Sequence, residues 1–534
     1  MNYKSRFLNF NYQYLFYLIV AIIIGFYCYH GALNNYFYAD DGFWLADSKV
    51  ATLNFFDTFD ISKAHIRPLG FVPRIIYFLL LLSGKWRPAP FYLTIIILRI
   101  ITSFLLFILV YRYIKKPAIA LCVSLIFLVN FSTWEAAYWL VAMLYSIGLF
   151  FYALSLIIFL LDMENRNICK LICLFVSYLA AIFSHENAVT LPLVCFVAFL
   201  VYNSQEDVFF RVIFFNTIFN FLKRYNPFLL IGILYAALRG SEYGGQIISF
   251  SYYLKTAISI AKSSLTWFIP EHILYRVILL FNRVFHVNST LDIQFNIYLL
   301  IISLLVAILL FSSSFRALFY FFIKKEKANV LLMLTGLLIM VLNIFPATSS
   351  PLYAGKFIPS RLLYYPSFGL SLVIAGMAVF YDNRIKRALF KYIFFISVVI
   401  YMIVAIIVNK KVESAFHYDT NIFKIVHKGL ENKMPIFTSG SSIYVDLSSV
   451  KFKMGHSSIA QLSYVIPELL NSKPPFSKLP FTFEFTGQNI KNQLTQNLLK
   501  EYKPNPIFYF EVANDRLIMY RWSPINRNFI LNDK

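Results

Sequence analysis

The chain has 534 residues, of which 59% are hydrophobic and only 14% charged, and its mean hydropathy is +0.66. A soluble globular protein carries roughly a quarter charged residues, so this composition excludes one and predicts an α-helical polytopic membrane protein. The net charge of +22 does not require nucleic acid, because the basic residues cluster in short loops between apolar runs.

The start MNYKSR leads into a first span at 13–30 that has no small-residue cleavage site, so a retained helix is expected rather than a signal peptide. A polar stretch, 31–66, follows and holds Asp40, Asp41 and His65, with Arg67 just beyond it. Residues 68–83 (PLGFVPRIIYFLLLLS) are apolar but carry two prolines, an arginine and a glycine. They read as a re-entrant or interfacial helix within a first outer loop, 31–90. Further spans are expected at 91–111, 117–132, 138–161, 168–184, 187–203, 226–238, 295–312, 328–346, 365–380 and 389–408, which makes about 11 crossings.

The basic loops YRYIKK (111–116), ENRNICK (164–170), LKRY (222–225), IKKEK (323–327) and DNRIKR (382–387) all fall on the cytoplasmic side only if 68–83 stays at the interface. That parity sends the remaining polar segments outward: 31–67, the turn at Glu135, the turn at His185 and Glu186, the long outer loop 239–294, and 347–364 with Lys356 and Arg361. The region 410–534 goes with them. Its runs SSIYVDL (441–447) and NPIFYFEV (505–512) alternate like strands, and LKEYK and QLSYVIPELL read as short helices. The expected organisation is a transmembrane domain over 1–409 and a small α/β extracytoplasmic domain over 410–534. The five cysteines suggest neither disulfides nor zinc, and Cys169 and Cys173, at helical spacing, read as packing residues.

An aspartate pair just outside a membrane helix is costly to keep near lipid and usually has a role. Asp40 and Asp41 can act as a general base or hold a cation; an Asp-Asp-Gly turn that only caps the next helix is the plain alternative. Glu135, flanked by Trp134 and Trp139, is a second acid at the same level or else a solvated turn residue. His185 and Glu186 sit in a tight turn between two spans, where a simple reversal would use Gly, Asn or Ser. Arg361 and Lys356 can recognise a phosphate or simply snorkel to lipid headgroups. Arg99 lies mid-span, where arginine is rare and usually paired or functional. The 239–294 loop can cover the site as a lid; its Glu271 and His272 read as interface packing.

Taken in order, DD after the first span, H-x-RPL at 65–69, an acid beside Trp after the third span, HE followed by AVTLP at 185–192, and RLLYYPSFG from 361 resemble the GT-C fold membrane glycosyltransferases. The likeness is to the protein O-mannosyltransferase group and to family-39-like bacterial transferases of lipid A, polysaccharide or protein, and it covers about 10–410. The usual Lys-Glu is His185-Glu186 here, and no tetratricopeptide repeats follow. The resemblance implies a GT-C-like bundle and an inverting transfer from a polyprenyl-phosphate sugar to a lipid, glycan or protein acceptor. Asp40, Asp41 and Glu135 would be catalytic. His65, Arg67, His185, Glu186, Lys356, Arg361 and Arg99 would bind substrate. Some relatives use a divalent cation, and Asp40 and Glu135 can be imagined holding Mg or Mn. A bacterial inner membrane with a periplasmic site, no nucleic-acid partner and contact with membrane lipids complete the expectation. The competing classes are a transporter or flippase of lipid-linked saccharides, a polysaccharide polymerase or ligase, and an inactive scaffold.

Overall fold

The computed structural model describes residues 12–38, 41, 87–203, 210–240, 312–324, 326–348, 360–384, 388–437, 441–450, 482–486, 491–500, 506–513, 516–523 and 528–531, with a few single positions between them. The chain forms two compact units: Met1–Cys28, Ile95–Ala137 and Leu144–Asn409 make up the first, and Tyr29–Thr94, Tyr138–Met143 and Lys410–Lys534 the second.

The α-helices before the sheet are α1 (Tyr12–Tyr29), α2 (Ala89–Ile114), α3 (Pro117–Val129), α4 (Glu135–Tyr138), α5 (Met143–Glu164), α6 (Ile168–Ile182), α7 (Leu191–Asn203), α8 (Phe210–Gly240), α9 (Lys327–Thr348), α10 (Tyr364–Arg384) and α11 (Ala388–Lys433). Short 3-10 turns at Phe131–Thr133, Glu186–Thr190 and Ser360–Leu363 interrupt them. The apolar helices mark a multi-pass integral membrane protein, but the expected count of 11 is corrected. Among the described residues seven helices are long and apolar enough to cross a membrane.

The difference has physical causes. Helices α3 and α6 have 13 and 15 residues; at 1.5 Å per residue they reach only about 20 Å, short of the roughly 30 Å hydrocarbon core. The expected crossing at 226–238 is the tail of α8, whose apolar run begins only after Lys223 and Arg224. The expected crossing at 295–312 and most of 68–83 lie outside the described residues.

Within the first unit, α9 and α10 cross at two glycines. A Cβ built on Gly336 would stand 2.6 Å from the carbonyl oxygen of Gly369, and one on Gly369 would stand 2.5 Å from that of Gly336. Lipid gives helices no hydrophobic reason to pair, so backbone-close contact at small residues is what holds such a crossing. Beyond this crossing Asp162, at the end of α5, is fully buried and accepts from Arg224, Tyr225 and the backbone N–H of Asn167. That knot ties α5 to α8.

In the second unit, strands β1 (Ser442–Asp446), β2 (Thr482–Thr486), β3 (Ile507–Ala513), β4 (Arg516–Ser523) and β5 (Asn528–Leu531) form one sheet in the order β2-β1-β3-β4-β5. The first three are mutually parallel and the last three antiparallel. Alternation puts Ile443, Val445, Phe508, Phe510 and Met519 on one buried face, with Phe437 packed on Phe508 at 5.1 Å. On the other face α12 (Lys491–Lys500) adds Leu494 to a cluster with Ile507, Tyr509 and Phe529. Tyr509 donates a hydrogen bond to the buried Asp446, and burial first, then that bond, pushes the tyrosine hydroxyl well above its ordinary value.

Of the cysteines, Cys28, Cys122 and Cys195 are buried, but Cys169 and Cys173 are exposed. Their i, i+4 spacing places them on the outward side of α6, so the packing expectation for that pair is corrected.

Candidate functional site

A buried polar centre of the first unit begins where α3 stops. A helix end leaves carbonyls without intrahelical partners, and in lipid no water is at hand to satisfy them. Arg99, fully buried on α2, supplies what is needed. Its Nε donates to Leu128 O at 2.9 Å and its Nη2 to Asn130 O at 3.1 Å and to Thr133 Oγ1 at 2.6 Å. Asn409 Nδ2 donates to Val129 O at 2.9 Å, and Asn130 Oδ1 accepts from the Ser132 N–H and hydroxyl. The Arg99 guanidinium also lies 5.1 Å from the ring centre of Tyr364. The partner that sequence reasoning could not name for Arg99 is therefore the end of a neighbouring helix, in the bonds described.

This capping lets the chain turn twice in seven residues and deliver Glu135 at the first position of α4. Glu135 is fully buried. Its Oε2 accepts from both the backbone N–H and Nη1 of Arg361, each at 3.1 Å. The Ser360–Leu363 turn aims that backbone N–H at the carboxylate, so position 361 meets Glu135 through main chain and side chain together. Sequence reasoning placed both residues in the site but did not pair them.

His185 caps the next break. Its ring is buried, and Nδ1 accepts the Asn187 backbone N–H at 3.2 Å. In a neutral ring the proton then sits on Nε2, which lies 3.9 Å from Glu186 Oε2. The ring packs against Tyr145 at 4.0 Å, tilted by 41°, and stands 5.7 Å from Tyr365. Tyr365 is itself fully buried beside Gly148, where its hydroxyl would lie 2.3 Å from an added Cβ. Tyr364 and Tyr365, the YY of the RLLYYPSFG string, thus line the centre on the Arg99 and His185 sides; their place in that string was the available signal, and it was overlooked. Asp162 and Arg224 were also missed, although an acid inside an apolar helix is visible in the sequence.

Asp41 belongs to the second unit. It is fully buried, its Oδ2 accepts the Tyr38 N–H at 2.7 Å and its Oδ1 the Val141 N–H at 3.1 Å. Tyr38 packs on Trp139, Phe416 and Phe423. In these bonds the carboxylate acts as a clasp between two chain segments, which is a positioning task. Asp40, His65, Arg67 and Lys356 lie outside the described residues, as do Glu271 and His272.

Among the described residues no three His, Cys, Asp or Glu side chains gather to hold a metal ion. Glu135, expected to share a cation with Asp40, already has an oxygen on the Arg361 guanidinium, and a divalent ion there would face that positive charge. Asp40, the other expected ligand, lies outside the described residues. No protein-family model matches this chain, and no curated protein is significantly similar to it.

Proposed function

We propose that this chain is an inverting glycosyltransferase that moves a sugar from a polyprenyl-phosphate donor to a lipid, glycan or protein acceptor, at the periplasmic face of a bacterial inner membrane. The observation that carries the reading is the Glu135–Arg361 ion pair, buried among apolar helices and built from two irregular turns. Irregular backbone within a helical membrane protein persists only where protein buries it or a cavity needs it, and ionisable groups there usually serve a substrate path.

In this reading the acceptor oxygen attacks the anomeric carbon opposite the phosphate. The new carbon–oxygen bond forms as the bond to the phosphate oxygen breaks, and its electron pair leaves with the polyprenyl phosphate. The acceptor proton passes to a carboxylate. Asp40 or Asp41 takes that proton in this reading. Arg361 meets the charge that develops on the leaving phosphate, and Glu135 fixes where its guanidinium points. His185 and Glu186 are the residues this reading gives to the sugar, with Tyr365 beside the His185 ring.

The test is a membrane assay with a mixture of polyprenyl-phosphate sugars. Wild type is compared with Asp40→Asn and Glu135→Gln at matched abundance, and both sugar transfer and released polyprenyl phosphate are read. Transfer that the variants lose supports the reading. Equal turnover in all three, or movement of intact donor across the bilayer without transfer, sinks it.

A further inference from the structure

Helix α11 has 46 residues. At 1.5 Å per residue it runs about 69 Å, more than twice the roughly 30 Å hydrocarbon core. Its sequence turns polar at Asn409, and its residues from Lys410 on belong to the second unit. Within that part Phe416, Thr420, Phe423 and His427 follow one another at helical spacing, so they share one face, and all are buried. The sheet holds the opposite side of the helix. Gly429 lies so near β4 that an added Cβ would stand 2.7 Å from the Cβ of Leu517.

Against the buried face lies the segment that leads to the aspartate pair. Residues 35–38 are neither helix nor strand, so side-chain contacts rather than a backbone ladder must fix them. Tyr36 Oη and His427 Nδ1 share a hydrogen bond of 2.6 Å, and their ring centres stand 5.9 Å apart. Tyr92 Oη donates to the carbonyl oxygen of Tyr36 at 3.2 Å. Tyr38 packs on Phe416 at 4.6 Å and on Phe423 at 5.2 Å. The backbone of Tyr38 then meets Asp41 twice: the Asp41 N–H donates to Tyr38 O at 3.0 Å, and Asp41 Oδ2 accepts the Tyr38 N–H at 2.7 Å. Packing beside Phe423 needs no ring nitrogen at position 427. A directed bond to an irregular segment does.

We propose that His427 is a positioning residue for the transfer: through Tyr36 it holds the segment that carries Asp40 and Asp41 against a helix that the sheet keeps in place. The role rests on the transferase reading for its chemistry and on the second unit alone for its geometry. His427 touches no reacting atom in this assignment and acts only through Tyr36. A base must stay within hydrogen-bond reach of the proton it takes, and a misplacement of about 1 Å can cost about 100-fold in rate. A carboxylate pair that follows four residues without secondary structure therefore needs an anchor outside its own segment.

Full-length Tyr36→Phe, His427→Ala, the double variant and His427→Asn are compared with wild type in detergent. Two quantities are read: sugar transfer from a mixture of polyprenyl-phosphate sugars, then from the one that wild type uses, and deuterium uptake by the backbone amides of residues 36–41. Tyr36→Phe and His427→Ala each lower kcat about tenfold, the weight of one buried hydrogen bond, with KM for the donor within about twofold. The double variant is no slower than either single one, because both delete the same bond. His427→Asn, which keeps a polar atom near the place of Nδ1, recovers most of the rate. Uptake at 36–41 quickens in the two single variants while uptake in β3 stays as in wild type. Unchanged uptake at 36–41, uptake raised equally in β3, or losses that multiply in the double variant overturn the proposal. Quickened uptake with normal kcat overturns the positioning role and leaves the transferase reading standing. A wild type that transfers from no donor sinks that reading, and the role in transfer falls with it even where uptake shows the anchor.

Discussion

Two buried acid–arginine pairs stand in the same helical unit, and they are built differently. Asp162 takes Arg224 in two-point fashion, Nε on one oxygen at 2.8 Å and Nη2 on the other at 2.7 Å, and adds Tyr225 and the Asn167 N–H. It closes the end of a regular helix. Glu135 takes Arg361 on one oxygen only in the bonds described, through a side-chain and a main-chain donor of the same residue, and both partners come from broken segments. A saturated two-point pair resists change and suits a lock. A pair carried on irregular backbone is the one assigned to the proposed transfer, with Glu135 orienting the Arg361 guanidinium toward charge as it develops.

The comparison is sharpened most by breaking the lock. Arg224→Ala strands a buried carboxylate and is expected to cost about 3–5 kcal/mol, read as lost unfolding free energy in detergent. A loss below about 1 kcal/mol, the value of an exposed pair, would erase the distinction drawn above. Next comes Glu135→Gln, which keeps an oxygen for the Arg361 N–H but removes the charge. Transfer should fall about 100-fold, or about 2.7 kcal/mol, with a smaller change in stability. If stability falls first and activity only in proportion, the pair is a second lock. Arg99→Lys should cost about 2 kcal/mol, because a point charge cannot span the carbonyls of Leu128 and Asn130 and the Thr133 hydroxyl together. Unfolding of the purified variant checks it.

The smallest effect concerns a third buried acid, Asp446. Tyr509→Phe removes its phenol partner and should cost about 1 kcal/mol at neutral pH. Because the folded hydroxyl is held above its ordinary value, its stabilisation is complete below about pH 10 and fades as pH rises through the folded value. The gap between wild type and Tyr509→Phe in a pH series of denaturant unfolding should therefore close on the alkaline side. A gap that widens there would show that the tyrosine ionises more easily folded than unfolded.

Much of the frame was legible in the sequence. Long apolar runs fixed the class and the helices α1, α2, α5, α7, α9, α10 and α11, because the bilayer sets their length and composition. The alternating runs near 441–447 and 505–512 announced the sheet strands, since period-two burial follows from the pleat. The count of crossings failed at α3 and α6, whose apolar runs are long enough in sequence but whose helices have only 13 and 15 residues before 3-10 turns or bends take over. Hydropathy records what a segment is made of and is blind to where its hydrogen bonds go.

What the sequence by itself determined is therefore local: membrane residence, most helix positions, and the short list Asp41, Glu135, His185, Glu186, Arg361 and Arg99 as residues too polar for their surroundings. Only the tertiary structure assigned them partners. It gave Arg99 to the end of α3, Arg361 to Glu135, Arg224 to Asp162, and the oxygens of Asp41 to the backbone at residues 38 and 141. The reason is separation along the chain. Apart from the Asp41–Tyr38 bond, these contacts join residues dozens to hundreds of positions apart, and the cost of burying a charge says that a partner must exist without saying which one folding will bring.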